Sequence, residues 1–312
     1  MTGLPRNLYE QQRINRRTTV LVMILFTLLV ALLGYGFDLI ILDSVIPVGT
    51  VAAVGLGIGT SFWSLSGGTR AVLVSSGAQP IIAGNPAHQQ LRNVTEEMAI
   101  ASGLPVPQLH VIPDPDPNAF ATGQDPGHSH IAVTQGLLER LNREELQGVI
   151  AHEMAHIRNY DIRLMTVVAA LIGAVLLISE LGARSLYLGG ARRRSSKEGA
   201  SPLLLVGWIV GLILAPFVSR ILAMAVSRQR EYLADASAAE LTRNPGALAS
   251  ALEKIDAAVE PTRSIKKGSA HLCIADPLAR PINAREGLFA NLLATHPPVL
   301  KRIALLKAMA YQ

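Results

Sequence analysis

The stretch "QGVIAHEMAHIRNYD", residues 147–161, contains the pattern H-E-x-x-H at His152, Glu153 and His156. Residues four apart lie on one face of a helix, so the two imidazoles can bind a single metal ion. Zinc takes neutral imidazole nitrogens in a tetrahedral arrangement. Glu153 follows the first histidine directly, where its carboxylate can accept a proton from a water on the metal. The stretch therefore predicts a catalytic zinc site on a helix.

The residues before this pattern predict where the helix begins. Asn142 is a suitable N-cap, and Glu145 follows three residues later as its capping-box partner. Leu146, Val149 and Ile150 then recur with helical spacing. The alternative is a solvent-facing helix that carries two histidines, but the capped start and the apolar opposite face favour the metal site.

A catalytic zinc needs a third protein ligand and one open position. No third histidine follows at the short spacing that metzincins use. In "REYLAD", Glu231 and Asp235 again lie four residues apart. Glu231 can bind the metal, and Asp235 can accept the other ring N–H of a zinc-bound histidine. A salt-bridged surface helix is an equal alternative, because arginines are adjacent, and spacing alone leaves both open.

The composition indicates a membrane protein. Half of the 312 residues are hydrophobic, 16% are charged and the mean hydropathy is +0.34, whereas a soluble domain carries about 25% charged residues. A net charge of +5 in such a chain reflects topology and anionic lipid, and no nucleic-acid motif accompanies it. The one cysteine, Cys273, excludes an internal disulfide and a C-x-x-C pair and fits a reducing compartment.

Four apolar runs divide the chain, at about residues 18–36, 39–63, 164–181 and 202–225. The first follows three arginines and is too long for a signal peptide. We expect an N-terminal membrane hairpin over residues 1–65, with two transmembrane helices. A zinc metallopeptidase domain over residues 66–312 follows, interrupted by a second hydrophobic hairpin at 164–225. The predicted class is α+β, an integral membrane protein with about four transmembrane or membrane-embedded helices.

The second hairpin explains why His156 and Glu231 can share one metal although they lie far apart in the sequence. Two membrane segments leave and return on the same side, so both ligand helices can meet. The loop between them carries Arg192, Arg193 and Arg194, which two full crossings would place outside, against the positive-inside rule. A shallow, embedded hairpin is therefore the alternative to the two crossings that we expect.

The peptidase domain has mixed patterning. We expect strands in "AVLVSS" (71–76), "QLHVIPD" and "HIAVT", and an edge strand in "NAFATG". Helices are expected over 88–102, on either side of a break at 244–246, and at the C-terminus after Pro297 and Pro298. The third apolar run is expected to continue directly from the H-E-x-x-H helix.

Five segments together identify a resemblance that spans nearly the whole chain. They are "SGAQP", "PNAFATG", "AVTQGLLERLNREELQGVIAHEMAHIRNYD", "SRQREYLADASAAEL" and "HPPVLKRI". The chain resembles the HtpX family of membrane-bound zinc endopeptidases, relatives of the CAAX prenyl proteases. The resemblance implies a gluzincin-type peptidase domain, with His152, His156 and Glu231 as ligands of one Zn²⁺ per chain and Glu153 as general base.

The resemblance also implies roles for four other residues. Asn118 and Ala119 would lie on an open edge strand beside the zinc and bind an extended substrate through backbone groups; the alternative is a plain turn. His296 would stand near the open zinc position, with Arg302 close by, and both would donate to the oxyanion. The alternative for His296 is a histidine that merely opens the terminal helix.

In function, the resemblance implies a multi-pass protein of the bacterial inner membrane with its active site on the cytoplasmic side. It would cleave membrane or misfolded proteins under stress, so its partners are protein substrates and the lipid bilayer. One rival is a dedicated processing protease for a single precursor. Another is a non-catalytic membrane scaffold or chaperone, against which the complete set of catalytic residues argues.

Overall fold

The computed structural model describes residues 8–38, 47–192, 228–258, 264–265, 269–275 and 297–310. The helices are α1 (Leu8–Phe37), α2 (Val48–Ser66), α3 (Gly68–Ser75), α4 (Pro86–Ser102), α5 (Gln135–Arg140), α6 (Arg143–Arg158), α7 (Asp161–Arg192), α8 (Arg228–Thr242), α9 (Pro245–Asp256) and α10 (Val299–Ala310). The strands are β1 (Gln79–Pro80), β2 (Gln108–Ile112), β3 (Ala119–Gly123) and β4 (Ser129–Thr134).

Helices α1 and α2 form the N-terminal hairpin. Glu10–Leu32 and Val48–Ser66 are the two single helices of the described chain that are long and apolar enough to cross a bilayer. The helices approach closely at Gly57, where an added Cβ would lie 3.1 Å from the Cα of Thr27. Small residues in the second apolar run therefore allow close packing, as in other membrane helices.

The third apolar run forms α7, which does not continue straight from α6. The two helices are bent by 86° at a short break, and Tyr160 in that break has a left-handed φ of 59°. The expectation of a direct continuation is therefore wrong. By length and composition alone, the bent pair meets the criterion for a broken span or a re-entrant loop. The fourth apolar run, 202–225, lies outside the described residues.

Residues 71–76 do not form the expected strand, because α3 covers most of them. In a strand, Val72 and Val74 would share one face, but Val72 is 3% exposed and Val74 is 71% exposed. Helix α3 packs on α7, where an added Cβ at Gly68 would lie 3.3 Å from Thr166. Tertiary packing thus overrides the strand preference of the valines.

The strands form a sheet in the order β1-β2-β4-β3, with β2 parallel to β4 and the other neighbours antiparallel. The predicted strands at "QLHVI", "AFATG" and "HIAVT" are confirmed, and β3 lies at an edge as expected. One sheet face packs in a core with α4 and α6, and the other with α3 and α7. The sheet therefore separates α6, which carries the H-E-x-x-H pattern, from α3 and α7.

The predicted start of α6 is confirmed. The side chain of Asn142 accepts from the backbone N–H of Glu145 at 2.9 Å, and the Glu145 carboxylate accepts from the Asn142 N–H at 2.8 Å. Glu145 also accepts from Ser250 and Lys254 of α9, each at 2.7 Å. The capping box thus fixes both the beginning of α6 and its packing against α9.

Candidate metal centre

The structure brings the predicted ligands His152, His156 and Glu231 together. The two Nε2 atoms lie 3.2 Å apart, and the Glu231 carboxylate oxygens lie 3.7 Å from His152 Nε2 and 3.6 Å from His156 Nε2. Zinc ligands at about 2.0–2.1 Å in tetrahedral geometry are about 3.3 Å from one another. All three side chains are buried. Spacing and donor chemistry both fit one zinc ion.

Helix α8 supplies the third ligand because its charged face is turned inward against α6. Arg230, Glu231 and Asp235 are each at most 5% exposed. This burial excludes the exposed, salt-bridged surface helix that the spacing of "REYLAD" left open. The inward face is polar because it meets the metal ligands rather than the apolar core.

Each ligand histidine has a carboxylate on its second ring nitrogen. His152 Nδ1 lies 3.0 Å from Asp235, and His156 Nδ1 lies 3.0 Å from Asp161. At His156 the carboxylate accepts the Nδ1 proton, which leaves the Nε2 lone pair for a metal. The contact of His152 with Asp235 has the distance of a hydrogen bond but not its angle. Asp235 occupies the place that the sequence predicted for it.

Sequence reasoning missed Asp161, although it ends the stretch that identified the site. A residue five positions after His156 would point away from it in a continuous helix. The bend between α6 and α7 returns Asp161 to the imidazole. The break signal in "RNYD" was the available clue, since Asn and Tyr in sequence end a helix more readily than they extend it.

Glu153 is buried beside the ligands, and neither of its carboxylate oxygens has a hydrogen-bond partner within the described part of the chain. Burial raises the pKa of Glu153, against the opposing effects of the two imidazoles and of the Ala121 backbone amide in β3. A buried carboxylate is normally hydrogen-bonded. Its unpaired oxygens therefore face the space where a metal and a water would lie.

Arg302 is fully buried behind the ligands. Its Nη1 donates to the Ile274 carbonyl at 2.6 Å and lies 3.4 Å from Glu231, while its other donors bind Asp235. Burial alone would raise the pKa of Asp235, but the charge and hydrogen bonds of Arg302 lower it to about 2. This geometry favours a positioning role over the predicted donation to an oxyanion.

The predicted edge-strand residues are found at the β3 edge, but that edge is not open. The Ala119 carbonyl accepts from the Ile274 N–H at 3.0 Å, and the Asn118 side chain donates to the Ala275 carbonyl at 3.2 Å. Phe120 and Cys273 form an antiparallel bridge. The plain turn is therefore excluded at Ala119, and the expectation of a free edge is wrong there. His296 lies outside the described residues.

A family model and named relatives identify the kind of protein to which the chain is similar. Residues 86–310 match the model of peptidase family M48. The chain is similar to proteins named "Protease HtpX homolog" from Limosilactobacillus reuteri (strain DSM 20016), at 42% identity over 97% of this chain and 100% of that protein, and from Streptococcus gordonii, at 37% identity with the same coverage. A solved structure, Ste24p of S. mikatae, aligns with 96% of this chain and 66% of its own, at 18% identity and a TM-score of 0.49.

Proposed function

Because the chain belongs to peptidase family M48 and is a metalloprotease, we propose that it is a membrane-anchored zinc endopeptidase of the gluzincin type. The observation that carries this proposal is the buried cluster of His152, His156 and Glu231 beside the unpaired carboxylate of Glu153. Two imidazoles and a carboxylate with one open position are the ligand set of a catalytic zinc site.

Bound zinc would supply a Lewis acid and acidify a water molecule. Glu153 lies next to His152 with both oxygens unpaired, so it can take the proton of the attacking water and deliver it to the leaving amine. Asp235 and Asp161 keep the two histidines in the tautomer that binds metal. His296 stays a proposed oxyanion donor, whereas Arg302 acts through Asp235 and Glu231.

We assign substrate binding to Asn118 and Ala119 at the β3 edge. A strand edge binds the backbone of an extended peptide and is tolerant of its side chains. Unfolded proteins offer extended segments and folded proteins do not, which supports membrane or misfolded proteins as substrates. Since residues 273–275 now pair with this edge, substrate must displace them.

The basic residues at the N-terminal end of α1 support an active site on the cytoplasmic side of a bacterial inner membrane. Arg13, Arg16 and Arg17 lie at the N-terminal end of α1, which the positive-inside rule keeps in the cytoplasm. In that same turn, the Gln12 side chain donates to the Arg158 carbonyl at the end of α6 at 2.8 Å. The C-terminal end of α6, the helix that carries the H-E-x-x-H pattern, thus contacts the basic, N-terminal end of α1.

We retain a domain division into a hairpin over residues 1–65 and a peptidase domain over 66–312. We propose that the second hairpin, 164–225, crosses the membrane twice, so that α6 and α8 lie on the same side of the membrane. The burial of Glu231 against α6 supports this arrangement.

The test uses the full chain purified in detergent. We expect about one zinc per chain by mass spectrometry, and zinc-dependent cleavage of unfolded casein that a chelator abolishes and added zinc restores. Folded globular proteins should not be cleaved. A chain that holds zinc but leaves casein intact would be a scaffold or a dedicated processing enzyme, and the proposal would be wrong.

A further inference from the structure

The first membrane helix reaches the metal centre through a buried asparagine. Asn15 of α1 has no exposed surface. Its side-chain amide donates to Asp161 Oδ1 at 2.6 Å and to the Asn159 carbonyl at 2.8 Å. The other oxygen of Asp161 contacts His156 Nδ1 at 3.0 Å. Asp161 therefore links the membrane anchor directly to a metal ligand.

Asp161 needs such a partner. It is fully buried, and a buried carboxylate is stable only when its oxygens are paired. Arg230 lies 3.5 Å from Oδ1, so Asn15 makes the closer contact. With Oδ1 held, Oδ2 is directed at the imidazole of His156.

His152 has a comparable arrangement of carboxylate and donor, which other elements of the fold provide. Asp235 contacts His152 Nδ1, and Arg302 of α10 holds Asp235 with two hydrogen bonds. Both ligand histidines thus have a carboxylate that is fixed by a further donor. For His152 the donor comes from the peptidase domain, and for His156 it comes from the membrane hairpin.

Electrostatic repulsion decides which way the side-chain amide of Asn15 is oriented. If the amide were flipped, its oxygen would face the Asp161 carboxylate, which is repulsive. In the observed orientation Asn15 Oδ1 has no hydrogen-bond partner within the described ranges. An unpaired buried oxygen destabilises the folded state. A side chain selected for helix packing alone would avoid that cost, so the donor itself is what the position requires.

Neighbouring contacts show that α1 also holds the bend from which Asp161 projects. The Gln12 amide donates to the Arg158 carbonyl. The Arg16 guanidinium lies 4.5 Å from the ring centroid of Tyr160, the residue with left-handed φ. These contacts bind the bend without touching Asp161, so α1 holds the bend at more than one point.

The matched control for Asn15 is Thr27, a partly buried polar residue of the same helix. Its hydroxyl donates to the Met23 carbonyl at 2.9 Å, so Thr27→Val removes a donor from α1 without removing a contact to the bend.

We propose that α1 is a working part of the metal centre, in which Asn15 is a positioning residue that holds Asp161 and, through it, His156. The proposal rests on zinc binding at this site, as in the proposed function. It makes the membrane hairpin more than an anchor: a peptidase domain without α1 would bind zinc weakly.

The test measures zinc affinity by chelator competition on the full chain in detergent, with the unfolding temperature of the zinc-free protein as a second readout. Removing an outer partner of a metal ligand weakens affinity by about 10–100-fold. We expect Asn15→Leu to fall in that range and Thr27→Val to stay within about 3-fold. Asn15→Asp is the second variant in case Asn15→Leu does not fold. It keeps the volume but places a second carboxylate against Asp161, so it should also lose zinc affinity.

A double-mutant cycle then separates positioning from general damage. If Asn15 acts through Asp161, adding Asn15→Leu to Asp161→Asn should cause little further loss of zinc affinity. Additive losses, equal effects of Thr27→Val and Asn15→Leu, or unchanged affinity in both Asn15 variants would overturn the inference. Failure of the wild-type chain to bind zinc would instead overturn the proposed function.

Discussion

Arg302 binds Asp235 through two parallel hydrogen bonds, from Nε to Oδ2 at 2.8 Å and from Nη2 to Oδ1 at 2.7 Å. Both side chains are buried. A bidentate pair of this kind fixes the plane of the carboxylate as well as its charge. Because Asp235 contacts His152, the terminal helix α10 helps to set the geometry of a metal ligand that lies on α6, in the first half of the chain.

Replacing Arg302 by lysine keeps the charge but removes the planar pair of donors. We expect Arg302→Lys to weaken zinc affinity by about 10-fold or more and to lower the unfolding temperature. Lys301→Ala on the exposed side of the same helix should change neither. An Arg302→Lys protein with normal zinc affinity and reduced turnover would instead support donation to an oxyanion.

Glu153→Gln tests the general base. The glutamine keeps the shape but cannot accept the proton, so cleavage of unfolded casein should fall by about 10²–10⁴-fold while zinc content stays near one per chain. Glu144→Gln, on the exposed start of the same helix, should cleave normally. Wild-type-like cleavage by Glu153→Gln would show that another group takes the proton.

Glu231→Ala tests the third ligand. With two imidazoles left, we expect a large loss of zinc affinity, measured as metal content after dialysis against a weak chelator. Glu240→Ala removes an exposed carboxylate from the same helix and should retain the metal. Equal zinc content in the two variants would place the third ligand elsewhere.

Glu145 gives a prediction about pH and stability. Burial alone would raise its pKa, but hydrogen bonds from Lys254, Ser250 and the Asn142 backbone lower it below its usual 4.5. A lowered pKa in the folded state stabilises the fold above pH 4.5, and this contribution is lost as pH falls through the lowered value. Because the Lys254 side chain is 42% exposed, Glu145→Gln should cost about 0.2–1 kcal/mol of unfolding free energy near pH 7. The difference from wild type, measured by thermal unfolding, should shrink under acid conditions; a constant difference would mean that the carboxylate charge is irrelevant.

Local chemistry explains which parts of the site could be predicted. The spacing of His152 and His156 and the capping box at Asn142 depend only on helix geometry, so both could be predicted from the sequence. Asp161 depends on a bend, whose angle is set by packing against α1. The strand expected at residues 71–76 failed for the same reason, because burial against α7 decides the periodicity there.

The pairing of residues 273–275 with β3 could not be predicted either, because it joins positions that are far apart in the chain. The sequence predicted an edge strand correctly from "NAFATG". It carried no signal for what covers that edge, since Cys273, Ile274 and Ala275 have no distinctive pattern. Such long-range backbone pairing is independent of side-chain identity, so side-chain patterns carry no signal for it.

The covered edge leads to a prediction about Cys273, the single cysteine of the chain. The residue is 1% exposed, and its backbone bridges to Phe120 of β3. If an extended substrate binds the edge at Ala119, the covering residues must leave, and the thiol becomes accessible to alkylation. We expect unfolded casein to accelerate the labelling of Cys273 by about 10-fold or more in the Glu153→Gln protein, which binds substrate without cutting it. Folded globular protein at the same concentration should have no effect, and labelling in denaturant gives the rate of the free thiol. An unchanged or slower rate with casein would mean that substrate binds elsewhere or that residues 273–275 stay in place during binding.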